Sequence, residues 1–172
     1  MEKLLLHCCC GPCSTASIER LQALGYEVLL FFGNSNIFPP TEREKRLEAL
    51  LQVSSHFNLE VITAPYDHER WLGIIKGHEE AKEGGSRCHL CFEYNLKEAA
   101  EEARKRGIPN FTTTLTVSPH KSSPLIFQVG ESFENFVAVD FKKRGGFQRS
   151  IALSKLLELY RQDYCGCEFS KL

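Results

Sequence analysis

Eight cysteines stand in three groups along a chain of 172 residues: Cys8, Cys9, Cys10 and Cys13, then Cys88 and Cys91, then Cys165 and Cys167. Thiolates are soft anionic ligands. Clustered in a reducing compartment, they point to metal or redox chemistry rather than to structural disulfides. A chain of this length also needs no covalent staple. Cys88-His89-Leu90-Cys91 sets two thiols one helical turn apart, so that both aim at one point. The run from Cys8 to Ser14, CCCGPCS, spans a strand-to-helix turn. The unpaired N–H groups and the positive dipole end of that helix stabilise thiolates and anionic clusters. Cys165-Gly166-Cys167 can chelate, and a disulfide across it would close a small strained ring of the labile, redox-active kind. A structural zinc needs only four ligands. Eight thiols exceed that and leave some for catalysis, which favours iron–sulfur over zinc. Cys8 ends an apolar run and reads as a packed core thiol. His7 and His89 read as structural.

The elements that must position these thiols follow from pattern. Apolar runs predict strands over residues 3–8, 26–32, 59–64, 111–117 and 136–141. Helical spacing predicts helices over 14–24, 41–57, 67–75, 88–106 and 150–161, with 124–136 partly helical. Residues 78–85 read as a mobile, charged loop, and 163–172 as a cysteine-bearing tail. Alternation of strand and helix predicts a mainly parallel, five-stranded sheet covered on both faces: a doubly wound α/β sandwich forming one domain over residues 1–172. Such sheets bind ligands beyond the carboxyl ends of their strands. Every polar motif falls on that rim: Cys8 to Cys13 after the first strand, Asn34 and Asn36 after the second, Tyr66 and Asp67 after the third, His120 and Lys121 after the fourth, Lys142 to Arg149 after the fifth.

These rim residues carry different weights. Asn34 and Asn36 suit turns as well as substrate contact. Asp67 is placed to cap a helix. Lys142-Lys143-Arg144-Gly145-Gly146-Phe147-Gln148-Arg149 joins cations, a flexible glycine pair and an aromatic just before a helix, which suits phosphate recognition. Arg104-Lys105-Arg106 is balanced by Glu98, Glu101 and Glu102 and reads as a solvated face. The formal net charge of −1 excludes a generalised attraction to nucleic acid, so an RNA partner would be held by a local basic patch. No apolar run approaches the ~18 residues that span a bilayer, and the start MEKLLL is short for a signal peptide. A cytoplasmic protein without membrane attachment is expected.

The strings HCCCGPCS (7–14), NSNIFP (34–39), RCHLCF (87–92), TTLTVSPHK (113–121), GGFQRSIAL (145–153) and YRQDYCGC (160–167) resemble those of the cobalamin-independent, QueH-type epoxyqueuosine reductases, in matching order along nearly the whole chain. The resemblance implies reduction of epoxyqueuosine to queuosine at the tRNA wobble position, with electrons from an external donor. It implies a nucleotide-hydrolase-like, Rossmann-like three-layer fold, a [4Fe-4S] cluster and an additional iron or redox centre. It assigns Cys9, Cys10, Cys88 and Cys91 to the cluster, makes Cys165 and Cys167 a redox-active pair, and leaves Cys13 for a second metal. Asn34, Asn36, Asp67, His120, Lys121, Lys142 and Arg149 become the residues facing the substrate. The chain departs from the usual pattern at Phe38, often histidine, and at Gly11, often alanine. Two other readings compete: an iron–sulfur-dependent tRNA thiolation enzyme, and a zinc-binding RNA module without catalysis. HCCCGPC in place of a glycine- and serine-rich nucleotide loop argues against the first.

Overall fold

Leu4, Leu5 and Leu6 are fully buried because the strand that carries them, β1 (Glu2–His7), is central and covered on both faces. The computed structural model describes residues 1–171; the last residue of the expected tail, Leu172, lies outside them. β1 pairs in parallel with β2 (Tyr26–Phe32) on one side and β4 (Asn110–Thr113) on the other, and β3 (Val61–Thr63) extends the sheet beyond β2. The order is therefore β3-β2-β1-β4. Side chains alternate across a strand. Leu4 and Leu6 thus face a core shared with Ile18 and Leu21 of α1 (Gly11–Ala23), Leu50 and Val53 of α2 (Pro40–Phe57) and Leu159. Leu5 faces the opposite core, with Phe92, Leu96 and Ala99 of α4 (Ser86–Lys105) and Ile126 of α5 (Ser123–Gly130). α6 (Gly146–Leu156) packs on α1, and α3 (His68–Ile75) on α4. The doubly wound, mainly parallel sandwich is as expected.

The sheet has four strands rather than five, and threonine chemistry is the reason. The expected fourth strand stops at Thr113, whose hydroxyl accepts the Leu115 N–H at 3.1 Å and starts a 3-10 turn over Thr114–Val117. A local side-chain bond has replaced the ladder. The segment read as a fifth strand makes only one bridge, Phe111 to Phe136. It runs on beside β4 held by hydroxyls: Thr112 donates to the Val137 carbonyl at 2.7 Å and Thr116 to that of Val139 at 2.9 Å.

Two further boundaries differ. α6 begins at Gly146, earlier than expected, and also ends earlier, at Leu156, because Glu158 takes a left-handed conformation (φ 53°). The loop expected to be mobile at 78–85 is tied down by buried Arg87, which donates to the carbonyls of Glu79 and Ala81. Among the described residues, no helix is long and apolar enough to cross a membrane.

Candidate metal centre

Strand order reverses between β1 and β4, so the carboxyl end of β1 lies at the switch point where such sheets open a crevice. Cys8 closes the strand: its N–H bonds the Phe31 carbonyl at 2.9 Å, and its thiol is wholly buried against the Leu6 carbonyl. It is the packed core thiol expected. The chain then turns sharply. Cys10 is the N-cap of α1, its sulfur accepting the Cys13 N–H at 3.3 Å, with Pro12 in the first turn. Gly11 permits the close approach of α2, since a Cβ there would lie 2.8 Å from that of Ala49. The turn brings the sulfurs of Cys9, Cys10 and Cys13 within 4.8 Å of one another. Neighbouring Cys9 and Cys10 both point inward, with sulfurs 3.9 Å apart.

Two neighbouring segments hold this turn. The Thr114 hydroxyl accepts the Cys9 N–H at 3.1 Å and donates to the Cys9 sulfur at 3.3 Å. Asn34, left-handed at φ 58°, donates to the Cys8 carbonyl at 2.8 Å and contacts His7 Nε2 through its side-chain oxygen at 3.1 Å. His7 Nδ1 meets the Thr113 hydroxyl at 2.8 Å, so His7 is structural, and burial lowers its pKa.

The three thiols share their protons unequally. Hydrogen bonds from Cys10 and Cys13 hold Cys9 well below the usual thiol range, helped by Lys121 and Thr114. For Cys10, donation from Cys13 is outweighed by its bond to Cys9 and by burial, which push it up to about 12. The bonds of Cys13 to Cys10 and Cys9, with burial, raise it as well. Cys9 is therefore the thiol of the three that gives up its proton most readily.

A cavity of about 450 Å³ opens over the turn, and its wall includes Cys9, Cys13, Cys91 and Cys165. All three cysteine groups thus reach one space. Cys91 lies one turn along α4 from Cys88, and burial and the charge of Cys165 raise its pKa. Cys88 is not part of the wall; its sulfur accepts the Gly84 N–H at 3.3 Å. Burial raises Cys165 against the pull of Lys121. Cys167 is buried with Trp71 and Ile75, and Cys91 packs on that cluster. All eight cysteines are free thiols.

Lys121 stands between the thiol groups. Burial opposes its charge, but Cys165, Cys9, Cys13 and Cys10 outweigh it and hold the ammonium protonated. Asn34, Asn36 and His120 also line the cavity. Asp67, Lys142 and Arg149 do not. Asp67 caps α3 through the Arg70 N–H at 3.1 Å. Lys142 donates to the Ser123 hydroxyl at 2.8 Å, and Arg149 makes an exposed two-pronged pair with Glu19 at 2.9 and 3.0 Å.

Sequence reasoning missed several wall residues. Asn95 donates to the Asn36 side-chain oxygen at 3.2 Å and to the Cys91 sulfur at 3.5 Å. Its own oxygen, and that of Gln162, are buried without a partner among the described residues. Arg46, buried in α2, reaches the Cys165 carbonyl. An all-sulfur donor set at a helix N-terminus, facing a cavity with unpaired buried acceptors, fits a soft metal or an iron–sulfur group.

Comparison with known proteins agrees with this chemistry. The sequence model of the family described as "Epoxyqueuosine reductase QueH" matches residues 4–172. A protein of that name from Thermotoga maritima is 39% identical over 180 residues, covering 100% of this chain and 92% of the relative. One from Haemophilus influenzae is 39% identical (98% and 71% covered), and one from Streptococcus pyogenes serotype M1 is 36% identical (97% and 69%). Among solved structures, the U34-tRNA thiolase NcsA from Methanococcus maripaludis with its [4Fe-4S] cluster superposes with a TM-score of 0.62 at 12% identity, over 99% of this chain and 62% of that one. A predicted subunit of tRNA methyltransferase from Methanocaldococcus jannaschii gives 0.57 at 13% identity, over 90% and 75%. These two likenesses concern the fold alone. The cysteine pattern, the fold and the whole-chain identity to its relatives agree: the chain belongs to the epoxyqueuosine reductase QueH family.

Proposed function

We propose that this protein, as one α/β domain in the cytoplasm, reduces the epoxide of epoxyqueuosine in tRNA to the alkene of queuosine at a thiol-held iron–sulfur site. The observation that carries the reading is the convergence of three cysteine groups on one cavity at the sheet's switch point. The reaction consumes two electrons and two protons and releases the epoxide oxygen as water, so an external donor is required. Cys9, Cys10, Cys88 and Cys91 would hold a [4Fe-4S] cluster, and Cys13 a second iron. The geometry adds a constraint on that division: the Cys13 sulfur lies within 4.8 Å of those of Cys9 and Cys10, whereas Cys88 needs to turn inward from its contact with the Gly84 N–H. Bound there, such a group would supply single electrons and a Lewis-acidic iron to polarise the epoxide oxygen.

The residues around the cavity have separable tasks. The Lys121 ammonium offsets the negative charge of the thiolates and faces the space where an oxygen would gain charge. Asn36 and Asn95 present a linked pair of amides to a polar substrate group. Cys165 reaches the wall and, with Cys167, supplies a dithiol able to pass electrons in pairs. His120, exposed at the mouth, is placed to meet the RNA. The test is anaerobic incubation of reconstituted protein with epoxyqueuosine-containing tRNA and a chemical reductant, followed by nucleoside digestion and mass spectrometry. The expected product has lost one oxygen. Gain of sulfur would indicate thiolation instead, and an unchanged nucleoside would reject the proposal.

A further inference from the structure

Residues 158–170 carry Cys165 and Cys167, yet their only regular element is a short 3-10 turn at Glu168–Ser170. What fixes this strap is a side chain from another element. Arg46, in the middle of α2, is 1% exposed. Its Nη1 donates to the Cys165 carbonyl at 2.7 Å and its Nη2 to the Tyr164 carbonyl at 3.0 Å. Its Nε donates to Glu42 at 3.2 Å, one helical turn back. Glu42 is buried too, and the Tyr160 hydroxyl shares its one proton between the two carboxylate oxygens, at 2.5 and 2.7 Å. The Tyr164 ring lies 5.2 Å from the guanidinium carbon. On its other side the turn is stitched to residue 38: the Phe38 N–H bonds the Gly166 carbonyl at 2.9 Å, and the Tyr164 hydroxyl bonds the Phe38 carbonyl at 2.7 Å. Gly166 sits at φ 150°, where a Cβ would meet Arg46 Nη1 at 3.1 Å and Ile37 at 3.2 Å.

A buried guanidinium is costly, and an apolar residue often serves stability as well. Here the donors are committed to two successive carbonyls, the second belonging to Cys165. A planar fork holds both in one fixed geometry, whereas the donors of an ammonium rotate freely. We propose that Arg46 is a positioning residue for Cys165: its fork, oriented by Glu42 and Tyr160, holds the Cys-Gly-Cys turn so that the Cys165 thiol stays in the cavity wall with Cys9 and Cys91. The functional weight of this role rests on the reading of Cys165 as a working thiol of the reductase.

The test uses Arg46→Lys, which keeps the charge beside Glu42 and removes the fork. Metal-free, reduced protein is labelled with N-ethylmaleimide, and each cysteine is followed by peptide mass mapping. The Cys165 rate should rise roughly tenfold, the effect of one lost charge-assisted hydrogen bond on a local opening equilibrium, while Cys88 keeps its rate and Cys8 stays unreactive. In the loaded enzyme any loss should fall on kcat, with KM for tRNA unchanged. Should Cys8 become reactive, the variant has lost its fold, and Glu42→Gln decides in its place. That change leaves the fork but removes its partner charge, and a roughly threefold rise at Cys165 is expected. Cys165 labelling at the wild-type rate in the deciding variant overturns the proposal, as does a raised KM with unchanged kcat, which would make Arg46 an RNA contact. Labelling needs neither metal nor RNA. A wild-type enzyme without turnover would therefore remove the reductase reading and leave the labelling result standing.

Discussion

Replacing Thr114 by valine tests how the metal-binding turn is held. Thr114 is fully buried, and valine has nearly its shape, so packing changes little. Two bonds are lost: acceptance of the Cys9 N–H at 3.1 Å and donation to the Cys9 sulfur at 3.3 Å. A buried N–H left without an acceptor costs about 1–3 kcal/mol, so Thr114→Val should destabilise the metal-free, reduced protein by about 2 kcal/mol. Urea unfolding under argon measures this, with an unchanged dependence on denaturant if the unfolded state is unaffected. Thr114→Ser keeps both bonds and removes one methyl group, at a cost of about 1 kcal/mol or less. The second readout is the pH midpoint of Cys9 alkylation. Thr114 is a lesser member of the group that lowers the Cys9 pKa, behind Cys10 and Cys13, so the midpoint should move up in the valine variant and stay in the serine variant. Equal stability of the two variants, with equal midpoints, would refute the claim that Thr114 holds the turn.

Other outcomes follow from the same geometry. Cys165→Ser and Cys167→Ser should keep their iron and lose turnover; loss of iron in either makes that residue a ligand. Glu98 presses its Oε1, unpartnered among the described residues, on Gly33, and burial raises its pKa to about 7. The folded protein therefore holds a proton that the unfolded chain releases near 4.5, and stability is lost as pH rises from 4.5 to 7. Glu98→Gln should stabilise the protein by about 2 kcal/mol at pH 8, after discounting for partial solvent exposure, and by nothing at pH 4; equal unfolding midpoints at pH 8 would contradict this. Lys143 and Arg144 are exposed and in no ion pair among the described residues, whereas Arg149 is paired with Glu19. Changing both to alanine should lower the log–log salt slope of tRNA binding by about two, and Arg149→Ala should lower it less; an unchanged slope in the double variant moves the RNA face elsewhere.

The sequence marks the rim well because strand ends and helix starts carry their own signals. Gly11-Pro12 breaks β1 and opens α1, and the C-x-x-C motif begins α4. Cys8 was legible as core from its apolar strand. The threonine-rich run at 112–116 misled, since threonine favours strands but its hydroxyl also bonds nearby backbone. Arg46 and Asn95 bond segments distant in sequence, so local pattern does not disclose them. One signal was present for Arg46. Glu42 and Arg46 stand in register with Ala49, Leu50 and Val53 on the buried face of α2, and charges in a core stripe require partners. Arg149 and Lys142 look like free phosphate ligands in sequence and are in fact engaged by Glu19 and Ser123.

The proposal turns on two cysteine groups, 9–13 and 88–91, together building one iron centre at which the epoxide is reduced, with Cys165 and Cys167 as its dithiol. Iron and acid-labile sulfide content, measured anaerobically beside single-turnover conversion of epoxyqueuosine-tRNA in Cys9→Ala, Cys91→Ala and Cys8→Ala, tests it most directly. Cys9 and Cys91 come from different groups and line one cavity, whereas Cys8 is sealed in the core. Loss of iron and turnover together in the first two, with both retained in Cys8→Ala, is the predicted result; full iron and full turnover in either Cys9→Ala or Cys91→Ala would contradict it.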